Sequence, residues 1–257
     1  MRLDDPANPA FWLLGSFLAI VVATNIAYLA VRRWTAEPQF RASPLAAAGW
    51  AALGLVYLLA PFLALQRGVV SPYALGLTEI DWPATLSTGL VLAASVVVVT
   101  LFGWLMFRRT LPEGPRGDLF TRLVAALRGP VTAVLEQWHW AFYRAGAAAV
   151  LVTISAADLP PAVARFVTTT QADPLYWGAW LGTALVGLEW ALNPFDRAAL
   201  RIENERAAAI RRASLAIATT GVFVLTRNLW LCMAMHLIVE TLAATWFALP
   251  EPAGQPN

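Results

Sequence analysis

The residues in this sequence that could do chemistry are few, and they are acids and imidazoles set inside apolar stretches. Glu136, His139 and Arg144 lie in one such stretch, Glu189 in a second, and His236 with Glu240 in a third. A carboxylate beside an imidazole is the usual apparatus for activating a water, one group taking the proton and the other orienting or relaying it. Glu136-x-x-His139 also has the spacing of carboxylate-bridged di-metal bundles, and Glu189, His236 and Glu240 could complete a ligand set for a divalent metal. The rest of the inventory removes alternatives. All eighteen basic residues are arginine, which excludes a P-loop lysine, a retinal or pyridoxal Schiff base and a Ser/Lys hydrolytic dyad. The single cysteine, Cys232, excludes an internal disulfide and a Cys-rich zinc site. Two histidines exclude a three-histidine zinc site within one chain.

The elements that must position these groups are membrane helices. The chain has 257 residues, of which 59% are hydrophobic and 13% charged, against about 25% charged in soluble domains. That composition excludes an ordinary cytosolic enzyme. A net charge of +2, carried by arginines between apolar runs, gives no nucleic-acid-binding surface. Runs long enough to span a bilayer, about 20 apolar residues each, fall at 10–31, 46–65, 84–107, 131–155, 175–194, 208–226 and 228–249. The expected fold is an all-α polytopic membrane bundle of about seven transmembrane helices, with the lipid bilayer as its first partner. The N-terminus lacks the basic n-region of a signal peptide, so the first run reads as a retained helix. Arginines crowd the loops after the first, third and fifth runs, while the alternate loops carry only Arg67, Arg165 and Arg227. By the positive-inside rule this is a multi-pass protein of the cell membrane, N-terminus outside and C-terminus cytoplasmic.

Four regions are expected: a three-helix membrane region over 1–109, a basic interfacial linker over 110–129, core helices over 130–249 and a short tail over 250–257. Pro112, Gly114, Pro115 and Gly117 mark the break before the core. Two inner loops are amphipathic, one with Leu119, Leu123, Val124 and Leu127 beside Arg122 and Arg128, the other with Phe195, Ala199 and Ile202 beside Arg197, Arg201 and Arg206. Both read as short helices at anionic headgroups. No repeat relates the two halves, which weighs against inverted-repeat transporters.

A charged side chain at a helix centre costs about 2.5–3.5 kcal/mol, and each neighbouring Leu, Ile, Val or Phe returns only about 0.3–0.6. Glu136 and Arg144 must therefore pair with each other or face a protein-lined or wet cavity. At ~100° per residue Glu136, His139, Trp140, Tyr143 and Arg144 share an arc of about 140°. His236 and Glu240 are one turn apart on one face. Depths reckoned at ~1.5 Å per residue place Glu136, His139, Glu189, His236 and Glu240 in one layer of the inner half of the bilayer. The expectation is one buried polar site built by the fourth, fifth and seventh spans. Gly178 and Gly182 form a small-residue pair that admits another helix closely, and Glu189 lies on nearly that same face. Blander roles stand beside these: a register-fixing ion pair for Glu136 and Arg144, a carbonyl hydrogen bond for His139, a packing contact for His236 and Glu240, and a small apolar filler for Cys232.

These residues resemble the CPBP intramembrane protease family, which includes the type II CAAX prenyl proteases and the bacteriocin-processing Abi proteins. The likeness covers roughly 130–249. Its best part is Thr226-Arg227-Asn228-Leu229-Trp230 followed by His236, with Glu240 in the family's Asn/Asp place. His139-Trp140-Ala141-Phe142-Tyr143-Arg144-Ala145-Gly146 aligns with the family's Glu-Glu-x-x-x-Arg helix, with His and Trp in place of the two glutamates. Val186-Gly187-Leu188-Glu189-Trp190 aligns with Phe-x-x-x-His, with Val and Trp at the two positions. The resemblance implies a water- or metal-contacting role for His236, with Glu240 as its partner, and an orienting role for Arg144. Glu136, one turn before His139, and Glu189, beside Trp190, could supply the replaced groups. Three functions stay open: a glutamic- or metallo-type endopeptidase cutting a membrane-associated peptide near the inner face, a catalytically inactive scaffold binding a membrane partner, and a metal-, haem- or pigment-binding bundle.

Overall fold

The computed structural model describes residues 5–34, 44–109, 119–157 and 159–245, and among them every regular element is helical. The Gly/Pro-rich break, Arg41, Asp118 and the 250–257 tail lie outside the described residues.

Prolines and polar caps set the helix boundaries. Pro9, Pro44, Pro72, Pro161, Pro174 and Pro194 each occupy the first position of a helix: α1 (Pro9–Trp34), α2 (Pro44–Gln66), α3 (Pro72–Leu75), α7 (Pro161–Ala172), α8 (Pro174–Leu192) and α9 (Pro194–Ala199). At that position the missing N–H costs nothing and the fixed φ is already helical. Side-chain acceptors hold the first turns that follow: Ser71 caps α3, Asp173 caps α8 and Asn193 caps α9. Asp81 likewise caps α4 (Trp82–Ala84), which continues through a π-helical turn at Thr85–Gly89 into α5 (Leu90–Arg109). The remaining helices are α6 (Leu119–Thr153), α10 (Glu203–Thr226) and α11 (Leu229–Thr245). Asn228 Oδ1 caps α11 by accepting from Leu231 N at 3.1 Å.

Over its described residues each of the seven expected apolar runs is mostly helical, the third through α4, the π-helical turn and α5 together. Among the described residues three stretches are long and apolar enough to cross a membrane: Pro9–Arg33, Trp82–Phe107 and Glu205–Thr226. Tyr57–Gln66 and Leu229–Ala243 are apolar but shorter, α6 carries Glu136 and Arg144, and α8 is diluted by tyrosine, tryptophan, glycine and Glu189. The stretch 119–129, expected in a linker, is the first part of α6, which runs on through Pro130 without ending.

The chain forms two compact units, Met1–Glu79 with Trp138–Arg206 and Ile80–Gln137 with Ala207–Asn257. The first unit packs α1 against α2, α8 and α9; the second packs α5 against α11. Each unit leaves apolar surface uncovered. Along α1, Leu18, Val22, Ile26 and Leu29 recur at helical spacing and are 54–66% exposed; on α5, Val98 and Val99 are 65% and 70% exposed. A continuous apolar stripe of this length is foreign to a water-facing surface and is what a lipid-facing helix presents.

Candidate functional site

The buried ionisable groups form two clusters, one within each unit. In the first unit α8 meets α6 through Gly178 and Gly182. A Cβ on Gly182 would overlap the main chain of Tyr143 and Arg144, and one on Gly178 would come within 2.5 Å of Ala148. Only glycine lets the two backbones approach this closely, which is the role implied by their four-residue spacing. About two turns on from Gly182, Glu189 is thereby brought to α6.

Three donors surround the Glu189 carboxylate. His139 Nε2 donates to Oε2 at 3.0 Å, Tyr143 Oη donates to Oε2 at 2.7 Å, and Tyr57 Oη donates to Oε1 at 3.1 Å. The Tyr57 ring also lies against the His139 imidazole, centroids 3.7 Å apart and 24° from parallel. His139, Tyr143 and Glu189 are buried. One carboxylate thus ties α2, α6 and α8 together. His139 Nε2 carries the shared proton, and among the described residues its Nδ1 has no hydrogen-bond partner. Trp190 packs edge-on to Trp140 at 5.8 Å. Arg144 is buried in the same unit.

The second unit holds the other acids. Glu136 Oε1 binds Arg212 Nε at 2.6 Å, and its Oε2 faces His236 Nε2 at 3.6 Å. The Gln137 amide nitrogen lies 3.1 Å from His236 Nδ1 and 3.1 Å from Thr219 Oγ1. An amide nitrogen only donates, so Nδ1 accepts and the ring proton sits on Nε2, toward Glu136. One turn beyond His236, Glu240 takes a bidentate pair from Arg211, Nε to Oε1 at 3.0 Å and Nη2 to Oε2 at 2.9 Å. The Arg211 guanidinium lies over the Trp104 ring at 4.4 Å from its centroid, a cation–π contact in a dry setting. Cys232 is buried, its Sγ donating to Thr219 O at 3.3 Å.

The six residues singled out from the sequence are therefore distributed as follows. His139 meets Glu189, Glu136 meets Arg212 and His236, Glu240 meets Arg211, and Arg144 is buried in the first unit. Sequence reasoning missed Tyr57, Gln137, Thr219, Arg211 and Arg212 as participants. The two arginines did carry a signal, because cations at the start of an apolar run need acidic partners. Nothing in the sequence marks Tyr57.

As a metal centre the arrangement fits poorly. Among the described residues no three His, Cys, Asp or Glu side chains converge as ligands. Glu136 and Glu240 are taken by guanidinium groups, and Glu189 by three donors. Comparison with protein-family models, with curated proteins and with solved structures finds no match for this chain.

Proposed function

We propose that the chain is a multi-pass integral membrane protein laid out like the CPBP proteases, in which the buried acids hold helices together and do not hydrolyse peptides. Seven helices cross the cell membrane, α1, α2, the stretch from α4 to α5, α6, α8, α10 and α11, with the N-terminus outside and the arginine-rich loops inside. Supporting this are the three helices of spanning length and the uncovered apolar stripes on α1 and α5. The non-catalytic part rests on one observation: each of the three carboxylates is already committed, Glu189 to three donors, Glu136 to Arg212 and Glu240 to both ends of Arg211. A general base needs a lone pair open to water or substrate. A scaffold of this kind would act by binding a membrane-embedded protein or peptide.

The membrane assignment is tested by floating the expressed protein with vesicles after an alkaline wash; release into the wash would refute it. The non-catalytic assignment is tested by incubating purified protein with a peptide library in detergent and comparing wild type with His236→Ala and Glu136→Gln. Equal, background cleavage is expected in all three. Turnover that disappears in both variants while their helix content is kept would overturn it.

A second reading, peptide hydrolysis at Glu136 and His236, is favoured by the 3.6 Å between Glu136 Oε2 and His236 Nε2. That separation is too long for a hydrogen bond and is one that a shared water could bridge. Glu136 would accept the proton of the attacking water and pass it to the leaving amine nitrogen as the C–N bond breaks, while His236 Nε2–H would face the developing oxyanion. The same assay decides between the two.

A further inference from the structure

The geometry points to a binding site for anionic phospholipid headgroups where the end of α1 meets α9; this rests on the membrane reading proposed above. Asn25 Nδ2 on α1 donates to the carbonyl of Leu192, the last residue of α8, at 3.3 Å, and the Tyr28 ring meets Phe195 of α9 edge to face at 5.3 Å, while within α1 the Arg32 guanidinium lies over the Tyr28 ring at 5.8 Å. The corner so formed is strongly basic. Between Tyr28 and Trp34 and between Asn193 and Ile202 the sequence has four arginines, Arg32, Arg33, Arg197 and Arg201, against one acid. That acid, Asp196, is held at 2.6 Å by the Asn193 side-chain amide. All four arginines are exposed.

The basic corner has an apolar floor that the protein leaves bare. Leu200 and Ile202 flank Arg201 and are 49% and 52% exposed. Cations beside uncovered aliphatic side chains and an aromatic pair match the layered chemistry of a membrane interface, with phosphate above and acyl chain below. A soluble anion would satisfy the arginines but leave Leu200 and Ile202 in water. A phospholipid covers both, so the lipid headgroup is the occupant. The location agrees with the positive-inside orientation, in which this corner faces the leaflet rich in anionic lipid.

The test uses full-length protein in mixed micelles with equal amounts of phosphatidylglycerol and phosphatidylcholine, read by native mass spectrometry of retained lipid. Wild type is expected to retain phosphatidylglycerol selectively. Each basic side chain near an anionic surface contributes about 1 kcal/mol, about a fivefold change in affinity. The Arg197→Gln/Arg201→Gln double variant should therefore lose roughly twenty-five-fold in selective retention, while Arg165→Gln, an exposed arginine on α7, should keep it. Equal retention of the two lipids by wild type, or equal loss in the Arg165→Gln control, overturns the proposal. Flotation of the double variant with vesicles after an alkaline wash separates the two readings. A protein that floats without lipid preference loses only this site, whereas one that does not float loses the membrane reading itself.

Discussion

Replacing Glu189 by alanine should destabilise the protein far more than replacing it by glutamine. Alanine removes the acceptor for three donors at once. Tyr57 is half-buried and can turn its hydroxyl to another acceptor, but His139 and Tyr143 are fully buried. Each buried donor left without a partner costs about 1–3 kcal/mol, so the two together cost about 2–6 kcal/mol. Against a total stability of roughly 5–15 kcal/mol that is a large fraction. At about 2–4 °C per kcal/mol for a chain of this size, the melting temperature should fall by roughly 5–20 °C. Glutamine behaves differently. Its carbonyl oxygen can take the Oε2 position and keep the bonds from His139 and Tyr143, while its amide nitrogen faces the Tyr57 oxygen, which can accept. Only the charge assistance is lost, about 1–2 kcal/mol. The assay is thermal unfolding in detergent followed by intrinsic tryptophan fluorescence, with Tyr57→Phe as a third variant expected to lose under about 1 kcal/mol. An alanine variant that melts with the wild type would refute the idea that this carboxylate holds three helices. So would a glutamine variant as unstable as the alanine.

Three further outcomes are expected. Gly182→Val should fail to fold or melt far below the wild type, because its side chain would collide with the α6 main chain. Gly187→Ala, which meets nothing within 4 Å, should be neutral or gain up to about 1 kcal/mol of helix propensity; circular-dichroism melts compare the two, and equal behaviour would contradict the close approach of α8 to α6. A double-mutant cycle on Glu136→Ala and Arg212→Ala should give a coupling of about 1–2 kcal/mol, below that of a fully buried pair, because the Arg212 side chain is 26% exposed; a coupling near zero would deny the pair. Cys232 should resist alkylation in the folded protein, and Arg211→Met, which strands Glu240 and uncovers Trp104, should speed its modification severalfold; equally fast modification of wild type would contradict the burial.

The start of α8 is legible because it is local chemistry: Pro174 at the first position and Asp173 before it announce that helix whatever surrounds them, whereas nothing local announces that α6 begins as early as Leu119. The Gly178–Gly182 pair was legible for the same reason, since a four-residue spacing of glycines has one steric meaning on a helix. The grouping of polar residues was not. Glu136 and His139 are three positions apart, which on a helix is a rotation of about 60° and a rise of about 4.5 Å. That is enough for one to serve Arg212 and His236 while the other serves Glu189. Spacing alone placed both on one face and so in one pocket. The pairings of Arg211 and Arg212 are hidden because their partners, Glu240 and Glu136, lie 29 and 76 positions away. Tyr57 was invisible, since one tyrosine in an apolar run signals nothing until a carboxylate is found beside it.

Six helices that open on proline have a consequence for how the protein is made. The ring sets the backbone φ at the start of each segment without help from any neighbour, so that boundary is marked as soon as the proline leaves the ribosome. On the multi-pass reading proposed above, the insertion machinery would then receive segments whose starts are already marked, in order, before any of the later acids and arginines exist to pair. What remains for assembly is the sideways search that brings Glu189 to its tyrosines, and a ribosome stalled before Pro174 should hold a nascent chain with the earlier segments inserted but that search not yet begun.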